Sequence, residues 1–210
     1  MKGLINFYGV QYPDEFKIET SHWTKSFCTW LLQIKLNCES DTWAFQYCVQ
    51  EYLRTKEQVM LIEKQIKQIS KQKDYKEVVK RLMTIPGIGL ITAMKILTEL
   101  EDISRFKSLD HLCGYIGIVP TTNSSGEKER IGEMTNRGNK HLKSAIIESS
   151  WVAVRYNPVL SHKFLELTKR MDKNKAIVRI AKKLLAIIMY VLINEKEYEK
   201  KSKLAMLSLS

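Results

Sequence analysis

Apolar side chains recur at intervals of three and four along most of the chain, the spacing that gathers them on one face of an α-helix. The clearest stripe runs from Cys48 through Tyr52, Thr55, Val59, Ile62 and Ile66 to Ile69, with lysine and glutamate off the seam. Such spacing is typical both of an amphipathic helix that packs on its own core and of a coiled coil. We favour a coiled coil that joins two copies of the chain through residues 48–70.

Helix start signals divide the rest of the sequence. Apolar faces over residues 76–100 predict two helices around a tight turn. Residue types that suit the start of a helix follow at Ser108, Asn139 and Pro158. The last long helix carries an apolar face from Ile177 to Leu192.

Glycine and proline cluster between residues 86 and 138, so turns and loops are concentrated there. Strand-like alternation is confined to a short stretch at 116–119. The fold class is therefore mainly α. We divide the chain into an N-terminal helical segment with a coiled-coil-like linker (1–80), a helical domain (81–200) and a tail (201–210).

Composition and charge indicate the class of partner. The 210 residues are 44% apolar, which is enough for a core and excludes general disorder. The net charge of +11 favours a polyanionic partner, with nucleic acid first and an anionic membrane second. Positive charge is densest over residues 121–183, where 14 basic residues face 6 acidic ones.

Membrane insertion and zinc ribbons are not expected. The longest apolar run, residues 184–193, is about half of what a membrane-spanning helix needs. Four cysteines are present without a Cys-x-x-Cys pair, so we expect reduced thiols in a cytoplasmic protein and no metal bound by the chain.

The segment Ile85–Ala93 fits a helix-hairpin-helix, in which two glycines flank one apolar residue. Gly87 and Gly89 let the backbone turn sharply and approach a phosphate, while Ile88 fills the gap between the helices. The amide groups that begin the second helix would bind that phosphate without reading bases, and Lys95 would add a second contact. The alternative is a plain helical hairpin.

A second group of residues lies on a polar loop rich in serine and glycine. It contains Ser124, Ser125 and Gly126, with four cations nearby in the sequence: Lys128, Arg130, Arg137 and Lys140. Serine attacks a phosphodiester only when another group takes its proton and cations stabilise the developing charge. On these residues alone, an ordinary polar loop is the better interpretation.

Several blocks over residues 82–198 together resemble the C-terminal transposase domain of the serine-dependent, bridge-RNA-guided insertion-sequence transposases. The blocks are Leu82–Gly89, Phe106 with Gly114–Pro120, Ser124–Gly126, Asn136–Asn139 with Leu142, and the helix from Ala176 to Leu192. They occur in the order and spacing of that family, and residues 46–80 resemble the helical linker before its C-terminal domain.

The resemblance implies a bacterial, nucleoid-associated enzyme of DNA transposition and recombination, with DNA and a guide RNA as partners. It implies that Ser125, directly before Gly126, becomes joined to a DNA phosphate, with Ser124 as the nearest alternative. Four cations of the serine loop and the hairpin residues would hold the DNA: Gly87, Ile88, Gly89, Lys95, Lys128, Arg130, Arg137 and Lys140.

The sequence departs from that family in lacking the N-terminal DEDD nuclease domain, whose four carboxylates bind metal. We therefore expect Mg²⁺ only through that missing domain, and no catalysis by this chain without it. Two alternatives to an enzyme stay open: a non-catalytic DNA- or RNA-binding or dimerisation module, and a remnant that pairs with the full-length transposase through residues 48–70.

Overall fold

The structure is a computed structural model that describes residues 2–18, 22–118, 120–125, 128–134 and 138–199, with only the backbone of 120–125 and 128–134. The chain divides into two compact units, Met1–Gln65 and Ile66–Ser210. The first contains α1 (Lys2–Phe7), α2 (Lys25–Gln33) and most of α3 (Glu39–Ile69). The second contains α4 (Lys73–Met83), α5 (Leu90–Leu100), α6 (Leu109–Ile116), β1 (Pro120–Ser125), β2 (Lys128–Met134), α7 (Lys140–Tyr156), α8 (Pro158–Thr168) and α9 (Lys173–Asn194).

The first unit is built around aromatic side chains. Phe27 of α2 is fully buried and lies within stacking distance of His22, at 4.6 Å between ring centroids, and of Trp30, at 5.4 Å. Phe45 and Val49 of α3 complete this core. Thr24 accepts a hydrogen bond from the Phe27 amide and so caps α2.

The core of the second unit surrounds α9. This helix buries aliphatic side chains along one broad face: Ile177, Ile180, Ala181, Leu184, Leu185, Ile188 and Val191. An apolar face of this length must be covered by other helices, and α4, α6, α7 and α8 pack on α9. Because α4 shares this core through Val79 and Leu82, the units divide at residue 65, earlier than the boundary at 80 drawn from the sequence.

The prediction of a mainly α fold is confirmed, and the helix start signals act as expected. Ser108 caps α6, Asn139 caps α7, and Pro158 occupies the first turn of α8. The helix that begins at Pro158 ends at Thr168. No helix in the described ranges is long and apolar enough to cross a membrane.

The prediction of a serine loop without strands is wrong. Strands β1 and β2 pair antiparallel as a two-stranded ribbon, with Pro120 opposite Met134 and Ser125 opposite Lys128. The strand-like alternation at 116–119 does not mark a strand in its described part, because residue 116 ends α6 and Gly117 is its C-cap, and residue 119 lies outside the described residues. The sequence concealed the ribbon because its residues are mostly polar on both faces, so the alternation that marks a half-buried strand is absent.

A short segment after α9 ties the end of the described chain to the end of α4. The backbone amide of Tyr198 donates to Thr84 Oγ1 at 2.8 Å, and Asn157 Nδ2 donates to the Tyr198 hydroxyl at 2.9 Å. Glu197 pairs with Lys80 at 3.3 Å. We call residues 195–198 the C-terminal strap.

The turn between α4 and α5 lies directly against α7. The Ile88 amide donates to the Ile85 carbonyl at 3.0 Å across Pro86 and Gly87, and Gly87 has φ +91°, the pattern of a type II turn. A Cβ on Gly87 would lie 2.3 Å from the Ser149 carbonyl oxygen. Glycine is therefore required here both by the backbone angle and by the contact with α7.

Gly87→Ala should lower the free energy of unfolding by about 3 kcal/mol, since it adds a left-handed backbone penalty to an overpacked contact. The matched control is Gly114→Ala, in the exposed middle of α6, where a Cβ meets nothing within 4 Å. That change should raise the free energy of unfolding by about 0.5–1 kcal/mol, because alanine favours a helix over glycine. Urea unfolding followed by circular dichroism measures both, and equal effects at the two positions would contradict the packing of Gly87.

Candidate nucleic-acid interface

The two glycines of the helical hairpin lie in different surroundings. Gly87 faces α7, whereas Gly89 is exposed, and a Cβ built on Gly89 would meet nothing within 4 Å. Ile88 between them is buried, as expected for the residue that fills the gap between the helices. An external ligand could therefore come close to the backbone at Gly89, whereas α7 already occupies that space at Gly87.

The N-terminus of α5 is free of a side-chain cap. Gly89 is its N-cap residue with extended backbone angles, and its carbonyl accepts from the Ala93 amide at 2.8 Å. The backbone N–H groups of the first turn have no acceptor within α5, and they point outward from its N-terminus. Together with the helix dipole, they form an arrangement that favours an anion.

Two of the predicted DNA-binding cations have described side chains. Lys95 is half-buried in α5, and Lys140 is exposed at the first position of α7. Within the described part of the chain, neither forms an ion pair with an acidic side chain. Arg137 lies outside the described residues.

The register of the ribbon separates the two serines. Ser125 pairs with Lys128, and Asn123 pairs with Arg130, while Ser124 pairs with Glu129. Directly paired residues share a face of the ribbon, and faces alternate along each strand. By register, Ser125, Lys128 and Arg130 therefore share one face, and Ser124 belongs to the other. The positions of their side chains lie outside the described part of the structure.

In the described residues, the chain before the ribbon and the chain after it meet at Gly117 and Gly138. Gly138 has φ +111°, and a Cβ on it would lie 2.7 Å from the backbone nitrogen of Gly117. The Asn139 amide donates to the Tyr115 carbonyl at 3.1 Å. Two backbones in direct contact thus close the base of the ribbon.

A hydrogen-bond network that the sequence did not predict surrounds this base. The Asn139 side chain accepts from the Leu142 amide at 2.9 Å, and its Nδ2 donates to the Glu99 carboxylate. The Tyr115 hydroxyl donates to the Glu99 carbonyl at 3.0 Å. The Arg105 guanidinium lies 4.8 Å from the centre of the Tyr115 ring, a cation–π distance.

No local signal marks Glu99 as part of this network, because it lies 40 residues from Asn139 in the sequence and on a polar helical position. Glu99, on α5, accepts a hydrogen bond from the Asn139 side chain, and the same asparagine caps α7. The ribbon base is therefore held by α5, α6 and α7 together.

Helices α5 and α7 connect the hairpin to the ribbon base. From Gly89 to Glu99 the chain advances ten residues of α5, a rise of about 15 Å. From Asn139 to Ser149, which contacts Gly87, it advances ten residues of α7, again about 15 Å. The two predicted sites are thus neighbours on one rigid pair of helices.

Residues that would hold a metal are not gathered anywhere in the described ranges, where no three His, Cys, Asp or Glu side chains lie close enough together. The expected Mg²⁺ therefore has no fitting donor set among them. Burial raises the pKa of the Cys113 thiol to about 11, which keeps it protonated and unreactive at neutral pH. All four cysteines are free.

Proteins with similar sequences include several transposases and pilin gene-inverting proteins. Residues 79–165 match the model described as the transposase IS116/IS110/IS902 family. The transposase for insertion sequence element IS1111A of Coxiella burnetii is 30% identical over 152 residues, which are 70% of this chain and 41% of that protein. A putative transposase of Sinorhizobium fredii, y4qE, is 40% identical over 82 residues, which are 39% of this chain and 20% of the relative.

A pilin gene-inverting protein of Moraxella bovis is 32% identical over 126 residues, which are 57% of this chain and 38% of that protein. The chain thus spans less than half the length of each of these relatives. The segment from α4 into α8, which contains the hairpin, the ribbon and its base, is therefore similar to the transposase domain of the IS116/IS110/IS902 family.

Proposed function

We propose that this chain is the DNA-binding and serine-bearing part of an insertion-sequence transposase. The observation that carries the proposal is the register of the ribbon, in which Ser125 shares a face with Lys128 and Arg130. This ribbon lies inside the segment that matches the transposase family, and relatives of the chain are named as transposases and a gene-inverting protein.

DNA binding would begin at the hairpin. The uncapped start of α5 and the exposed Gly89 suit one phosphate, and Lys95 and Lys140 suit others. The separation of about 15 Å between hairpin and ribbon base equals four to five base pairs of a duplex, at about 3.4 Å each. One DNA backbone can therefore run past both sites.

The chemistry would be an exchange of one phosphodiester for another. The Ser125 hydroxyl oxygen attacks the phosphorus, and the bond from phosphorus to one deoxyribose oxygen breaks. The hydroxyl proton leaves serine, and the departing deoxyribose oxygen gains a proton. Lys128 and Arg130 would stabilise the charge on the attacked phosphate. The number of phosphoester bonds is unchanged, so the serine–phosphate bond keeps the energy that is needed to rejoin the DNA strand later.

Partners outside this chain belong to the same proposal. The described residues offer no metal site, so Mg²⁺ and the acceptor for the serine proton would come from a separate nuclease domain. A guide RNA and a nucleoid-associated location in the cytoplasm are the further expectations that the resemblance carries.

Self-association through α3 is supported by its exposed apolar residues. One position in from each end of the stripe, Tyr52 contacts Trp23 at 4.7 Å between ring centroids, and Ile66 packs against the core of the second unit. Between them, Val59 and Ile62 are 49% and 54% exposed. These two side chains do not pack on the core of their own unit, which favours a second copy as their partner.

The full chain should bind duplex DNA with little sequence preference and a steep dependence on salt. If about six phosphates are engaged, the logarithm of the affinity should fall with that of the salt concentration at a slope near −5. Gly89→Val should weaken binding about tenfold by blocking one phosphate contact, without unfolding the helices, although valine is a poorer N-cap than glycine. The control Gly3→Val, at another exposed glycine with open space, should leave binding unchanged. Salt-independent affinity would contradict the proposal.

The dimer expected through α3 should separate when Val59→Lys is combined with Ile62→Lys, because two charges would enter the apolar seam. Met60→Lys combined with Leu61→Lys is the matched control, with equally exposed apolar residues on the same helix but off the a/d positions. Sedimentation equilibrium at tens of micromolar measures the change. A wild-type chain that is already monomeric there would show that α3 has no such role.

Ser125→Ala should abolish a covalent protein–DNA adduct and leave DNA affinity almost unchanged, since one neutral hydroxyl adds little to several phosphate contacts. The assay supplies the chain with the nuclease domain of a relative, RNA and Mg²⁺, and detects the adduct by denaturing electrophoresis. Ser124→Ala is the control and should keep the adduct. If only Ser124→Ala abolished the adduct, the nucleophile would be Ser124. If neither substitution changed the result, the non-catalytic alternative would be supported.

A further inference from the structure

A second concentration of positive charge lies where α8 ends and α9 begins. Its five cations are all exposed: Lys169, Arg170, Lys173, Lys175 and Arg179. None of them forms an ion pair with an acidic side chain that the structure describes, unlike Lys163 with Glu166 at 3.0 Å and Lys182 with Asp110 at 2.7 Å. We call these five residues the α8–α9 basic surface.

The local electrostatics of α9 do not explain this surface. The N-terminus of a helix carries partial positive charge and is stabilised by acidic residues, but the first turn of α9 contains none. It contains Lys173 and Lys175 instead. Asp172 is occupied as the N-cap, accepting from the Asn174 amide at 2.7 Å. Between residues 167 and 194 this aspartate is the only acidic residue against seven basic ones.

Cations that oppose a helix dipole and one another lower the stability of the fold. An external anion would relieve both penalties, because it neutralises cations that Asp172 alone does not balance. The two arginines add planar donors that can bind a phosphate with two hydrogen bonds each. The surface therefore fits a chain of phosphates better than a single acidic side chain.

The α8–α9 basic surface is well separated from the hairpin. Helix α9 has 22 residues and is about 33 Å long. Its C-terminal end lies beside the hairpin, because the C-terminal strap follows it and Tyr198 hydrogen-bonds Thr84, two residues before Pro86. The basic surface is at the opposite end, on the order of 30 Å away.

We propose that the α8–α9 basic surface binds a second stretch of phosphodiester backbone, distinct from the one at the hairpin. This inference rests on the proposed function only in taking the hairpin as the first DNA contact. The contacts are with phosphates, so they carry no base sequence and add affinity rather than specificity. The backbone can be supplied by DNA or by RNA, which share this chemistry.

The test neutralises the surface and compares it with an equal change elsewhere. The variant combines Lys173→Gln, Lys175→Gln and Arg179→Gln in the full chain. The control combines Lys64→Gln, Lys67→Gln and Lys71→Gln, three exposed cations with the same loss of charge. Fluorescence anisotropy with a 30-base-pair DNA duplex and a 30-base-pair RNA duplex, over a range of salt, gives affinity and slope for each.

We expect the variant to reduce the salt slope by about 2 to 3, close to 0.9 for each lost phosphate contact, and the affinity at least tenfold. The control should change both far less. The melting temperature of the variant should stay the same or rise, since the cations oppose the dipole of α9. Loss on the DNA arm identifies DNA as the source of the backbone, and loss confined to the RNA arm identifies RNA.

The outcomes separate this inference from the function proposed above. If the variant behaves like its control while Gly89→Val still weakens binding, the inference is overturned and the hairpin contact stands. If the variant weakens binding and Gly89→Val does not, the second surface stands and the hairpin contact fails. If the two changes combined weaken binding no more than either alone, the two surfaces are not independent and the inference is overturned.

Discussion

The contact between Gly87 and the backbone of α7 fixes the arrangement on which the candidate interface depends. Without a side chain at that position, the turn between α4 and α5 rests on Ser149 and Ala153. The same α7 begins at Asn139, which holds the base of the ribbon. One helix therefore positions both the hairpin and the ribbon, and α5 spans the same interval beside it. A shift of the turn would be transmitted to the ribbon base, because close-packed helices move as rigid elements.

Local sequence was sufficient for the helices and insufficient for the contacts between them. Side-chain caps such as Ser108 and Asn139 satisfy amides within three residues, so their effect can be predicted from neighbouring positions. The packing of Gly87 on α7 joins residues more than sixty positions apart, and the hydrogen bond from Asn139 to Glu99 spans forty. Nothing in either local pattern distinguishes Gly87, which faces a helix, from Gly89, which faces solvent.

The ribbon is a second feature that local sequence could not predict. Gly117 and Gly138 are in backbone contact at its base. Polar strands leave no hydrophobic alternation to recognise, so Ser125 could be singled out by residue type and resemblance but not by its face. The sequence predicted only part of how charge is distributed between the two units. Residues 1–65 hold 7 basic and 8 acidic side chains, whereas residues 66–210 hold 27 and 15, so the excess positive charge lies in the second unit and the first is near neutrality.

The C-terminal strap has a consequence for the order in which the molecule is built. Tyr198 is 114 residues from Thr84, the partner of its amide, and the central α9 is synthesised after α4 to α8. Helices α4 to α8 therefore emerge from the ribosome before the element that covers their apolar faces exists. Contacts of such long sequence separation form late and slow folding. The end of α4, next to the turn that leads into α5, therefore gains the hydrogen bond from Tyr198 only after residue 198 has been synthesised.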